Sequence, residues 1–192
     1  MKSSLLRAKR RSRDALATAG IAYVVVDQPM SLWRKWGFSR AGWRDGRRGE
    51  YWLLVQIILL VGFIGLPAWP SGAPLGARIG GIALILTGVV IAWLAARTMG
   101  RSLTPLPHPP DGSRLITSGV YRYVRHPIYG SVLLMTGGTA VALWSLPHLL
   151  GTLLLLVFFD AKARREELWL RQRFADYEEY ARRVHKLLPG VY

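Results

Sequence analysis

The sequence predicts an all-α integral membrane protein with about four transmembrane helices, the last two forming a C-terminal helical hairpin. Three observations predict this. Half of the residues are hydrophobic, yet the net charge is +15. The charges are segregated rather than spread along the chain: none falls in 51–77, in 79–96 or in the 30 residues of 130–159. Lys and Arg are distributed unevenly between the segments that separate these runs.

The first two runs each suit one crossing, at about 51–69 and 78–96, because about 20 apolar residues cover roughly 30 Å of hydrocarbon. The third is too long for one upright helix, at about 45 Å. Ser145-Leu146-Pro147-His148 lies at its middle. Proline breaks a helix and also suits a new first turn, so a hairpin is expected with crossings at about 130–146 and 147–160. The second arm then continues out of the bilayer to about Arg173. In the second crossing, Ala77, Gly81, Gly88, Ala92 and Ala96 recur on one side, which permits close approach of a neighbouring helix.

Residues 1–50 hold twelve Lys and Arg, 97–129 five and 161–192 eight, while the connections 70–76 and 145–148 hold none. Because positive loops stay inside, both termini and the 97–129 loop are expected in the cytoplasm. Trp52, Trp69, Trp93 and Trp144 fall near the ends of the crossings, as an aromatic belt requires. The expected organisation is a basic cytoplasmic segment over 1–50 and one membrane domain over 51–192.

The polybasic start of the chain is expected to attract anionic lipid. It lacks the aromatic or motif context of a nucleic-acid binder, so no nucleic-acid partner is expected. The apolar stretch 15–26 is too short to span and reads as interfacial or packed on the core. The chain has no cysteine, which excludes disulfides, thiolate metal sites and a cysteine nucleophile. The four histidines show no metal-type spacing, and no metal site is expected. The Pro-rich stretch 102–112 reads as an extended loop.

Two polar clusters stand out. The first runs from Gly119 through Tyr121, Tyr123, Arg125, His126 and Pro127 to Tyr129, directly before an uncharged run. Pro127 is suited to open a helix. The first-turn N–H groups, with Arg125 and His126 beside them, would form an anion-binding site at a membrane surface. The second cluster holds Lys162, Glu166 and Glu167, then Leu168, Leu170, Phe174, Tyr177 and Tyr180. The hairpin returns it to the face that carries the first. Simpler roles exist for each residue. Arg125 could be a topology charge, His126 a helix cap, the tyrosines interfacial or packing aromatics, and Glu166 and Glu167 surface pairs with Lys162 and Arg171. Adjacent positions on a helix point about 100° apart, so the two carboxylates are not a matched pair on one face.

Together the clusters resemble the isoprenylcysteine carboxyl methyltransferase family. The pattern is Leu115, Gly119, Tyr121, Arg125-His126-Pro127-x-Tyr129, then Glu166-Glu167-x-x-Leu170-x-x-x-Phe174, Tyr177, Tyr180 and Leu188-Pro189, over roughly 97–192. The resemblance implies S-adenosylmethionine bound in a cytoplasmic pocket of a helical membrane domain, formed by 97–129 and 161–192 and closed over by the C-terminal helix. It implies cofactor contacts from Gly119, Tyr121, Arg125, His126, Pro127, Tyr129, Glu166 and Glu167, and catalytic roles for Glu167 and Arg125. Glu167 is expected to face the pocket and Glu166 to make only a surface pair. The family's Arg five residues before that Glu is Lys162 here, a point charge without a planar fork.

The expected function is methyl transfer from S-adenosylmethionine to a lipophilic or amphiphilic acceptor, which could be a carboxyl, an amine or a thiol. A carboxylate nucleophile needs no general base, whereas an amine or thiol needs one, and Glu167 is the candidate. Two alternatives stand beside this reading. One is a membrane reductase using NADPH, because sterol reductases look similar over the same C-terminal region, although they are far longer. The other is a non-enzymatic membrane protein that binds anionic lipid.

Overall fold

The computed structural model describes residues 49–68, 72–100, 103–104, 106, 114–187 and 190. The expected basic segment 1–50 lies almost entirely outside the described residues, as do most of the Pro-rich stretch and the Leu188-Pro189 pair. Five α-helices are described: α1 (Glu50–Ile64), α2 (Leu75–Met99), α3 (Pro127–Ala142), α4 (Leu146–Arg173) and α5 (Tyr177–Arg183). A 3-10 turn over Gly119–Arg122 precedes α3, and no strand occurs among the described residues.

The hairpin forms where the proline pattern places it. α3 ends at Ala142, and Trp144 takes a left-handed φ of 50° in the turn. Ser145 caps α4, its hydroxyl 2.8 Å from Nδ1 of His148, and Pro147 sits in the first turn where its missing N–H is no loss. α4 then runs unbroken for 28 residues, about 42 Å. Its first half is apolar and its second half carries the charged cluster.

α2 and α4 are long and apolar enough to cross a membrane, and α1 and α3 are shorter apolar helices. Only 17% of the apolar window of α2 is buried and 33% of that of α4. The outward side chains include Ile58, Val61, Leu86, Val90, Leu154 and Val157, all at least half exposed. A soluble monomer rarely presents so continuous an apolar exterior, whereas hydrocarbon covers it without cost.

Small residues set the α2–α3 contact. A Cβ on Gly81 would lie 2.5 Å from the carbonyl oxygen of Gly138, and one on Gly88 would lie 2.7 Å from that of Ser131. The two backbones therefore touch, and the small-residue row read from the sequence is the reason they can. α1 joins through Phe63, which packs with Leu155, Phe158 and Phe159 of α4. The four helices alternate in direction. The start of α3, the last turns of α2 and α4 and the first half of α1 therefore meet at one end.

Candidate active site

The chain after α5 pins that end. Backbone N–H groups of Arg125 and His126 donate to the carbonyls of His185 (2.8 Å) and Lys186 (3.0 Å), threading the terminal segment past the start of α3. Leu187 O would lie 2.8 Å from a Cβ on Gly130, so only glycine lets the segment pass. Lys186 is buried and pairs with Asp160 at the edge of the apolar half of α4.

Arg125 is the clamp between α4 and α5. Its Nε donates to Glu167 Oε1 at 3.0 Å, and its Nη1 donates to the carbonyls of Ala181 (2.8 Å) and Val184, where α5 ends. A guanidinium suits this place because its fork reaches both partners and a cation complements a helix C-terminus. His126 occupies the N-cap position of α3 without a side-chain cap bond, and its Nε2 lies 3.1 Å from the same Glu167 oxygen. Glu167 lies eight residues beyond the apolar run, about 12 Å along the helix. Burial raises its carboxyl, but His126 and Arg125 more than offset this and hold it at about 2.

The two adjacent carboxylates occupy different environments. Glu167, expected to face the pocket, is held by Arg125, His126 and Arg171 and lines a groove between α4 and α5 rather than the two cavities described below. Glu166, named both as a cofactor contact by the family pattern and as a surface pair by its helical position, is no surface pair: its Oε2 accepts from the Tyr129 hydroxyl at 2.8 Å and lies 3.7 Å from His126 Nδ1. The reason is helical phase. Steps of three or four residues put Glu166 on the row of Leu155, Phe159, Lys162 and Leu170, which faces the interior.

Two cavities share a wall made of Met99, Thr104, Tyr121, Arg125, His126 and Glu166. The smaller, about 90 Å³, is closed by Leu170, Phe174, Tyr177 and Tyr180. The larger, about 350 Å³, is completed by Gln56, Leu103, Pro127, Ile128, Tyr129 and Lys162. That volume is within the range of small-molecule sites, roughly 300–1,000 Å³. Lys162 is 1% exposed, hydrogen-bonds Gln56 of α1 and lies 5.3 Å from the Tyr129 ring centre. Tyr129 stacks between His126 and Phe159.

Tyr180 donates to the Tyr121 carbonyl at 2.6 Å, and burial is the largest effect pushing its hydroxyl up to about 12. Burial also raises Tyr121 and Tyr177, so all three remain neutral donors at physiological pH. Tyr177 is 1% exposed, and its hydroxyl has no hydrogen-bond partner among the described residues. A buried hydroxyl left unpaired is costly, and on this wall of the smaller cavity it is available to a polar partner.

Tyr121, Arg125, His126, Pro127, Tyr129 and Glu166 thus line the cavities, and Glu167 supports them from behind. Gly119 lines neither. It opens the 3-10 turn at φ 59°, where a Cβ would meet Thr98 Oγ1 at 2.7 Å. Reading the sequence passed over Gln56, Met99 and Thr104. For Gln56 a signal existed, since a lone amide in an otherwise apolar crossing needs a polar partner, which here is Lys162.

The described residues form an all-α domain with the apolar exterior of a helical membrane protein and a pair of polar-walled cavities at one end. A model of the family described as phospholipid methyltransferase matches residues 77–177, more than half of the chain, and the chain belongs to that family. It is 44% identical over 115 residues to a probable protein-S-isoprenylcysteine O-methyltransferase of Oryza sativa subsp. indica, covering 58% of this chain and 60% of that protein. It is 34% identical over 115 residues to protein-S-isoprenylcysteine O-methyltransferase B of Arabidopsis thaliana, covering 58% of each. A third relative is the cobalt-zinc-cadmium resistance protein CzcN of Cupriavidus metallidurans, 29% identical over 150 residues, covering 76% of this chain and 64% of that protein. The chain therefore spans about three fifths of the length of the plant relatives it matches.

Proposed function

We propose that this protein transfers a methyl group from S-adenosylmethionine to an oxygen of a carboxylate carried by a lipophilic molecule. The observation that carries this reading is the double cavity with one shared polar wall. Family membership supports the methyl transfer, and the names of the plant relatives support the carboxylate oxygen of a lipid-modified cysteine as acceptor.

The residues present fit the donor. The orphaned Tyr177 hydroxyl offers a buried hydrogen bond, and Glu166 offers a fixed negative charge to a cationic sulfur. Tyr121, His126, Glu166 and Tyr177 would hold the donor, which supplies an already activated methyl group. Lys162 would attract the acceptor carboxylate into the larger cavity, among Met99, Leu103 and Ile128. Arg125 and Glu167 hold α5 down, and its tyrosines keep water from the reacting atoms. A carboxylate oxygen is itself the nucleophile, so no side chain has to remove a proton.

The Lys and Arg asymmetry supports a site at the cytoplasmic face, with both termini inside and four crossings. A reporter fused at Gly72 should read external and one at Gly112 internal; the opposite pair would invert the topology.

Tyr177→Phe separates ligand binding from packing. Removing an unpaired buried hydroxyl should leave the protein as stable as wild type or more so. Losing one hydrogen bond to the ligand should weaken S-adenosylhomocysteine about 2- to 13-fold. Thermal unfolding and calorimetry on the same samples read both effects. Lower stability with unchanged affinity would show the hydroxyl to be structural.

A further inference from the structure

A groove of about 650 Å³ lies between α4, α5 and the segment 184–186, and shares only Arg125 with the walls of the two cavities. Five further cations line it: Arg164, Arg171, Arg182, Arg183 and Lys186. Arg171 and Arg183 pair with Glu178 and Glu179 at 2.9 and 3.1 Å, and Arg164 with Asp160 at 2.7 Å. The three arginine side chains in these pairs are 41–71% exposed, and exposed pairs exchange readily for a better anion. Arg182 is exposed and has no ion-pair partner among the described residues.

The groove is continuous with the outer face of α4. Leu154, Val157, Ala161, Arg164, Leu168 and Arg171 follow one another at steps of three and four residues, and all are exposed. They form one stripe along the helix. The stripe begins in the apolar half of α4 and ends inside the groove, where Leu168 and Arg171 are lining residues. Arg164 lies seven residues past Val157, about 10 Å along the axis. A chain of hydrocarbon lying on Leu154 and Val157 would deliver its phosphate to Arg164.

We propose that this groove seats the headgroup of an anionic phospholipid, with its phosphate between Arg164 and Arg182 and an acyl chain on the α4 stripe. The charge pattern fits an anion, and the unbroken apolar approach favours a lipid over a soluble acidic partner. The site is independent of the methyl-transfer reading, because Arg164 and Arg182, which would hold the phosphate, have no part in that machinery; Arg125 and Glu167, which do, only line the inner wall of the groove.

The test uses the full chain in bilayers of phosphatidylcholine carrying a trace of spin-labelled phosphatidylglycerol or spin-labelled phosphatidylcholine. Electron paramagnetic resonance reads the protein-immobilised fraction of each. Wild type should prefer the anionic label. Arg164→Gln/Arg182→Gln should reduce the preference at least about five-fold, the effect of one basic side chain near an anionic surface. Arg122→Gln/Arg165→Gln removes the same charge outside the groove and should keep the preference. Glu179→Gln frees Arg183 from its acid and should raise it, a readout that does not depend on losing a contact. No preference in wild type, or equal loss in both double variants, would overturn the site. So would displacement of the label by free inorganic phosphate or by an acidic peptide, which would assign the groove to a soluble anion or to a protein.

Discussion

Glu166→Gln should bind S-adenosylmethionine about 10- to 150-fold more weakly than wild type, while S-adenosylhomocysteine loses far less. The range is that of one hydrogen bond or contact to a charged group, about 1.5–3 kcal/mol. Glu166 lines both cavities and is oriented by the Tyr129 hydroxyl at 2.8 Å. In the proposed function its charge acts on the sulfonium, and S-adenosylhomocysteine lacks the transferable methyl group and with it that positive charge. Glutamine keeps the shape and the acceptor oxygen for Tyr129, so the fold should persist. Calorimetry with both ligands on both proteins reads the difference. Equal weakening of the two ligands would show that Glu166 contributes shape and not charge.

The second large effect belongs to the clamp. Arg125→Ala should destabilise the protein by about 3–5 kcal/mol, because it leaves the Glu167 carboxylate buried with part of its partners gone. It also uncouples the end of α5, which Arg125 holds through the carbonyls of Ala181 and Val184. Thermal unfolding in detergent should fall, and trypsin should cut at Arg182 and Arg183 faster than in wild type. Arg125→Lys should recover only part of the loss, since an ammonium cannot reach Glu167 and two carbonyls in one plane. Wild-type melting and cleavage in Arg125→Ala would show that α5 is held by packing of Tyr177 and Tyr180 alone. Arg125 is more than a topology charge at the bilayer edge: its bonds tie α4, the end of α5 and the segment 184–186 to the start of α3, and this is why its loss is expected to cost stability.

Much of the architecture was legible because membrane helices write it into composition. The uncharged runs mark the helices, Pro147 marks the hairpin turn, and the row through Gly81 and Gly88 marks the face that meets α3. The convergence of Arg125, His126 and Glu167 followed from the hairpin alone. Helical phase did not follow so easily. Leu168, Leu170, Phe174 and Tyr177 lie close to Glu167 in sequence, yet Leu168 is 45% exposed, and both Lys162 and Glu167 are buried while Glu166, one position away, is only partly so. α4 stops at Arg173 and Tyr177 opens a separate helix, so these apolar residues do not share one face. Helix ends were legible only roughly, with α1 stopping at Ile64 before Pro67 rather than at 69. The contribution of Gln56 depends on α1 lying against α4, a contact between residues 106 positions apart that no local pattern encodes.

The central claim is that the polar wall shared by the two cavities binds a methyl donor. Calorimetric titration of the detergent-solubilised protein with S-adenosylhomocysteine, then with NADPH, tests it most directly. Saturable binding of S-adenosylhomocysteine, weakened by Tyr177→Phe, with no heat from NADPH, is the predicted result. Binding of NADPH with none of S-adenosylhomocysteine by the same folded protein would contradict it.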